Sequence, residues 1–129
     1  MLETGIKGTK TVTVNEANTA KTMGSGTLDV FATPALIALM EETCWRSVAD
    51  RLEDGCGTVG TLLEIRHTAP TPIGMDVTCE SELVEVDGRR LVFTVQAHDA
   101  KGLVGEGRHK RFVIQNEKFQ AKANAKREA

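Results

Sequence analysis

The sequence has no basic excess: 16 lysines and arginines against 18 acidic residues leave a formal net charge of −2. A general nucleic-acid binder usually shows a strong positive balance, so nucleic acid is not an expected partner. No apolar run approaches the ~18–20 residues of a membrane span. The first ~30 residues hold no signal-peptide core, so neither membrane insertion nor secretion is expected. Cysteine is sparse as well. Cys44, Cys56 and Cys79 are an odd number at wide spacing with no CxxC pair, which is not a disulfide framework. A reducing cytoplasm fits that usage. His67, His98 and His109 fall into no Cys/His ligand spacing, so no metal is expected. The run Gly102-Leu103-Val104-Gly105-Glu106-Gly107 is not a dinucleotide fingerprint, and no cofactor is expected.

What the chain does have is enough length for a core. Its 129 residues suit a single domain over 1–129, which can bury roughly two-thirds of its unfolded surface without metal or disulfide. Thr9 to Val14 is Thr/Val-rich and alternating, and reads as a strand. Asn15 to Thr27 is polar, closes on Gly24-Ser25-Gly26, and reads as a mobile loop. Thr33 then suits a helix N-cap and Pro34 the first helical position. From Ala35 to about Leu52 there is no internal glycine or proline, and much of the helix surface is apolar. Such a helix is buried against something large.

Everything after it reads as strand. Thr58–His67 alternates, with Val59, Leu63, Ile65 and His67 on one face. Met75–Val86 changes parity near Leu83-Val84, the mark of a bulge. Asp87-Gly88 is a hairpin signal. Arg89–Asp99 places Leu91, Phe93, Val95 and Ala97 inward, and Leu103–Gln115 is the last strand. Asn116–Ala129 is a polar tail apart from Phe119. One strand, one long buried helix and four antiparallel strands form an α+β chain. One helix cannot hide both faces of five strands, so the sheet is expected to wrap around it. That is the hot-dog architecture. It leaves an edge strand open, which predicts a homodimer through paired edges, with tetramers a further option.

Three residues carry chemical promise. Glu41 shares a helical stripe with Ile37, Trp45, Val48 and Leu52, so it is a carboxylate on an apolar face. It is either functional, or a half-exposed residue at the edge of the stripe, or tied to an arginine. Its neighbour Glu42 is placed to pair with Arg46 and reads as surface. His67 ends a strand before a Pro-rich turn, a usual place for a catalytic group, although a bond to a turn carbonyl would explain it too. Thr33 has a capping task, yet a buried helix start is also an anion site. Pro34 has no N–H, so donors there would come from Ala35, Leu36 or the Thr33 hydroxyl. His109 and Arg108 sit in a charged run on the last strand and are candidates for lining a site. Cys44 reads as core. Lys118, Lys122 and Lys126 are a solvated tail or a contact for phosphates. Thr33 and Glu41 are eight residues apart, ~12 Å along a helix axis, too far to serve one carbonyl directly. Glu41 would act through His67 or water, or the two would serve different protomers' sites.

Val30-Phe31-Ala32-Thr33, Leu39-Met40-Glu41, Val59-Gly60-Thr61 and His67-Thr68-Ala69-Pro70-Thr71-Pro72-Ile73-Gly74 together resemble the fluoroacetyl-CoA thioesterase family of hot-dog proteins. Val86-Asp87-Gly88-Arg89-Arg90-Leu91 and Gly105-Glu106-Gly107-Arg108-His109 extend the resemblance, which runs from Val30 to about Phe119. It implies a dimer that hydrolyses acyl-CoA thioesters without metal or redox cofactor. It implies Thr33, Glu41 and His67 as the catalytic set and Gly60 near the thioester carbonyl. Thr33 would attack or hydrogen-bond the intermediate, and His67 would act as base or acid. The fluoroacetyl-specific enzyme has a Phe-rich lid before this region. Met23-Gly24-Ser25-Gly26-Thr27 has no phenylalanine, so a different acyl specificity is expected. Two rival readings are a hot-dog enoyl-thioester hydratase and a non-catalytic acyl-CoA sensor.

Overall fold

The computed structural model describes residues 2–128. Five antiparallel strands form one sheet: β1 (Lys7–Thr13), β2 (Cys56–His67), β3 (Asp76–Asp87), β4 (Arg90–Asp99) and β5 (Gly102–Gln115), in the spatial order β1-β3-β4-β5-β2. The long helix, α2 (Thr33–Ala49), touches all five strands. Its Leu36, Leu39, Met40, Cys44 and Val48 are buried with Leu83, Leu91, Phe93, Val95 and Ala97 of the sheet. The sheet wraps the helix in the hot-dog arrangement that the element order predicts.

Several boundaries differ from the sequence reading, for local reasons. The expected N-cap, Thr33, is the first helical residue. Ala32 holds the cap position and offers no side-chain bond. The helix also stops at Ala49 instead of Leu52. Arg51 N–H donates to Val48 O and Leu52 N–H to Ala49 O, tightening the last turn to i→i−3 bonds. Gly55, at φ +81°, then turns the chain into β2. The stretch Asn15 to Thr27 is not a free loop. It holds a 3₁₀ turn (Glu16–Asn18) with a reciprocal Asn15/Asn18 cap, and a short helix, α1 (Ala20–Met23), capped by Thr19 and closed by left-handed Gly24. The expected polar tail folds as α3 (Asn116–Asn124) and a 3₁₀ turn (Ala125–Arg127).

Besides a register shift between Ala97 and His98 where β4 meets β5, two bulges shape the sheet. One falls between Leu83 and Glu85, where the parity change predicts it. The other lies at Thr61, between Gly60 and Leu62 on β2. It moves the inward parity of that strand. Gly60, paired with buried Arg111, faces the helix, and Val59, expected inward, pairs with Phe112 on the other side. Strand β2 is an edge. Beside it Trp45 and Leu63 are each 38 % exposed, so the stripe Ile37–Glu41–Trp45 borders the core and is not inside it.

Candidate active site

The sequence candidates fall into two groups at opposite ends of β2. The first group is Thr33 and His67. Thr33 Oγ lies 2.8 Å from His67 Nδ1. The contact exists because Thr33 is helical: its hydroxyl is not used in capping and is free to reach the strand end. His67 Nε2 is buried without a hydrogen-bond partner. Burial pulls the imidazole below its ordinary pKa, so the ring is neutral at physiological pH. Leu36 makes the first helical N–H bond, to Ala32 O, so the Ala35 amide precedes the ladder at the same helix start. The sheet beneath is glycine. A Cβ at Gly105, the partner of His67, would meet Arg66 O at 2.7 Å and Leu36 Cδ2 at 2.8 Å.

Glu41, Gly60, His109 and Arg111 make the second group. Glu41 Oε2 lies 3.6 Å from Arg111 Nη1, and a Cβ at Gly60 would stand 2.7 Å from the same oxygen. The glycine is there because the carboxylate occupies the space of a side chain. Arg111 Nη1 also lies 3.0 Å from His109 Nε2, and His109 Nδ1 lies 2.9 Å from Leu62 O. His109 is wholly buried, and burial lowers its pKa, with the Arg111 charge adding to the effect. Both ring nitrogens are engaged by protein, so the expectation that His109 lines a substrate site gives way to an internal role. Arg108 points out of the other face of the sheet, where Nη2 bonds Glu64 Oε1 at 2.8 Å. It lies in an open groove of about 940 Å³ with Glu80, Glu82 and Glu106, and neither group includes it.

Sequence reasoning overlooked Arg111. The signal was available: residues 109 and 111 share strand parity, so a histidine and an arginine both face inward. Cys44 is core, as expected, and burial pushes its thiol up to about 12. Glu42 pairs with Arg46 at 2.7 Å. Among the described residues no group of three or more His, Cys, Asp or Glu side chains could hold a metal ion, and no helix is long and apolar enough to cross a membrane.

A five-stranded sheet wrapped on one long helix is the hot-dog architecture, and the proteins this chain is similar to place it among the hot-dog thioesterases. The profile described as fluoroacetyl-CoA-specific thioesterase matches residues 14–117, and the chain belongs to that family. It is 48 % identical over 98 residues to the fluoroacetyl-CoA thioesterase of Streptantibioticus cattleyicolor, covering 76 % of this chain and 70 % of that one. A solved structure of the fluoroacetyl-CoA thioesterase FlK superposes with a TM-score of 0.93 at 39 % identity, covering 98 % of both chains. A thioesterase superfamily member from Thermus thermophilus superposes at 0.88 with 25 % identity, over 96 % of this chain and 92 % of that one.

Proposed function

We propose that the chain hydrolyses acyl-CoA thioesters at sites shared between two protomers, with Thr33 and His67 from one and Glu41 and Gly60 from the other. The separation of the two groups carries this reading. Thr33 and Glu41 are ~12 Å apart along the helix axis, and Gly60 and His67 lie up to ~23 Å apart along β2. One thioester carbonyl cannot span that. Strand β2 is an open edge. Setting two such edges antiparallel places the Gly60 end of one beside the His67 end of the other, which favours a homodimer.

In this mechanism Thr33 Oγ donates to His67 Nδ1, the nucleophile–base contact of acyl transfer. The hydroxyl oxygen attacks the thioester carbon while its proton passes to His67. The carbon–sulfur bond breaks, and the departing thiolate takes that proton. Water, oriented by the Glu41 carboxylate, then hydrolyses the acyl-threonine, with His67 accepting the water's proton and returning it to Thr33. Amides at the helix start, Ala35 among them, face the developing oxyanion. No metal or redox cofactor has a part in these steps, and a cytoplasmic location suits the free cysteines.

The acyl group differs from fluoroacetyl in this reading. The segment over the Thr33 end presents Met23 and Leu28, 45 % and 65 % exposed, and no phenylalanine between α1 and Phe31.

The test is free-thiol release from a panel of acyl-CoAs, fluoroacetyl-CoA included, with His67→Ala and Glu41→Gln run beside wild type. Each variant alone is expected to be nearly inactive. Mixed and re-associated, they should recover about a quarter of wild-type turnover, since half of randomly formed dimers carry one intact site of two. No recovery on mixing would overturn the shared site. Absence of thiol release from every substrate would overturn the hydrolase reading. An acyl adduct trapped anywhere but Thr33, seen by mass spectrometry, would overturn the assigned nucleophile.

A further inference from the structure

We infer that Arg111 is the positioning residue of the Glu41 carboxylate and that His109 is the brace that aims it; this rests on the role of Glu41 proposed above. Arg111 is 6 % exposed, and its guanidinium is engaged on each side. Nε donates to Thr58 Oγ at 2.7 Å and Nη2 to Thr58 O at 2.8 Å. Nη1 turns to His109 Nε2 at 3.0 Å and to Glu41 Oε2 at 3.6 Å. A guanidinium has only donors, so His109 Nε2 must accept. The imidazole proton is therefore on Nδ1, where it is donated to Leu62 O at 2.9 Å. The chemistry of the donors fixes the tautomer, and the tautomer in turn fixes the arginine.

The network ties three elements together. Glu41 is on α2, Thr58 and Leu62 are on β2, and His109 and Arg111 are on β5. A buried cation is costly unless paired. Thr58 and His109 are neutral, and Glu41 provides the ion pair that Arg111 makes among the described residues. Glu41 is itself 37 % exposed and borders glycine, so little else confines it. Without Arg111 the carboxylate would be free to leave its place over Gly60. Packing alone does not require an arginine here, since a buried pair of this kind is weak evidence for stability.

The experiment compares Arg111→Gln, Arg111→Lys, Glu41→Gln and the double variant Arg111→Gln/Glu41→Gln. Turnover, KM and thermal melting are measured on the full chain, with ¹⁵N NMR of the His109 ring. Arg111→Gln is expected to lower kcat on the order of a hundredfold, the cost of a misplaced catalytic group, with KM nearly unchanged. Arg111→Lys keeps the charge and loses the fork, so it should recover part of that kcat. In the Glu41→Gln background, Arg111→Gln should have no further effect, because both changes remove one function. Wild-type His109 should show a single neutral tautomer protonated at Nδ1. Independent losses that multiply in the double variant would overturn the proposal, as would an Nε2-protonated His109. Glu41→Gln with wild-type turnover would overturn the role of Glu41 itself. Glu41→Gln inactive beside Arg111→Gln at wild-type kcat would overturn only the role of Arg111. Should Arg111→Gln fail to fold, Arg111→Lys alone decides by whether kcat falls while KM holds.

Discussion

Glu41 and Gly60 share one space: the carboxylate oxygen Oε2 stands 2.7 Å from where a side chain at residue 60 would begin. A glycine on a strand usually weakens it; this one makes room for an acid from the helix. Gly60→Ala should therefore displace Glu41 while leaving the fold intact. The expected loss is on the order of a hundredfold in kcat, as for other small displacements of a reacting group, with little change in melting temperature. Thiol-release kinetics beside a melting curve checks it. An alanine variant with wild-type turnover would show that the carboxylate does not need that place.

In the proposed mechanism His67 must be neutral to accept the Thr33 proton. Burial depresses its pKa, so the neutral form persists to lower pH than for an ordinary histidine. The acidic limb of kcat/KM is expected below the usual histidine value of about 6.5. A pH–rate profile measures it, and a limb above that value would contradict the assignment. Thr33→Ser should retain much of the activity and Thr33→Ala should not, since serine keeps the hydroxyl that His67 polarises.

Stability should fall in acid for a related reason. His109 is wholly buried with its pKa lowered, so the unfolded chain binds a proton that the folded chain does not. The unfolded state holds more protons through this window, and stability rises with pH there. The contribution is fully present above the ordinary histidine pKa and is lost as pH falls through the depressed one. Denaturant titrations between neutral and mildly acidic pH should show the decline, and His109→Gln should flatten it.

Helix α3 begins with Asn116 donating to Gly55 O, so it leaves the sheet at the Glu41 end of β2. Lys118 and Lys122 lie four residues apart on one side of it, with Lys126 a turn further on. Changing all three to alanine should raise KM for acyl-CoA several-fold and leave kcat alone, if they meet the phosphates as point charges. The effect should shrink as salt is added. An unchanged KM would leave α3 a solvated surface.

The architecture was legible in the sequence because it rests on patterns longer than any local exception. The 17-residue helix has no internal breaker past Pro34, and the inward positions of β4 are all apolar: Leu91, Phe93, Val95 and Ala97. Glu41 and His67 read in the sequence as polar residues on apolar faces, and Thr33 as the residue at the start of a buried helix. What misled was local. The hydroxyl of Thr33 reads as a cap, and only the fold shows Ala32 in that place and the oxygen turned to His67. Thr61 gives no sign of a bulge, so Val59 and Gly60 exchange faces unannounced. Arg111 was hidden in a charged run whose alternate members point opposite ways: Arg108 to solvent, Arg111 to the core. The tail reads as polar because α3 buries none of its residues.

The glycines of β5 set how this protein can diverge. At Gly105 an added methyl would strike Leu36 and the backbone of Arg66, and at Gly107 it would strike the carbonyl of Glu64. That wall beneath the Thr33–His67 pair is main chain and is closed to change by substitution. The segment from α1 to Phe31 instead exposes the side chains of Met23 and Leu28. A lineage descending from this chain would explore new acyl groups by altering that short helical segment, while the sheet beneath it stood still.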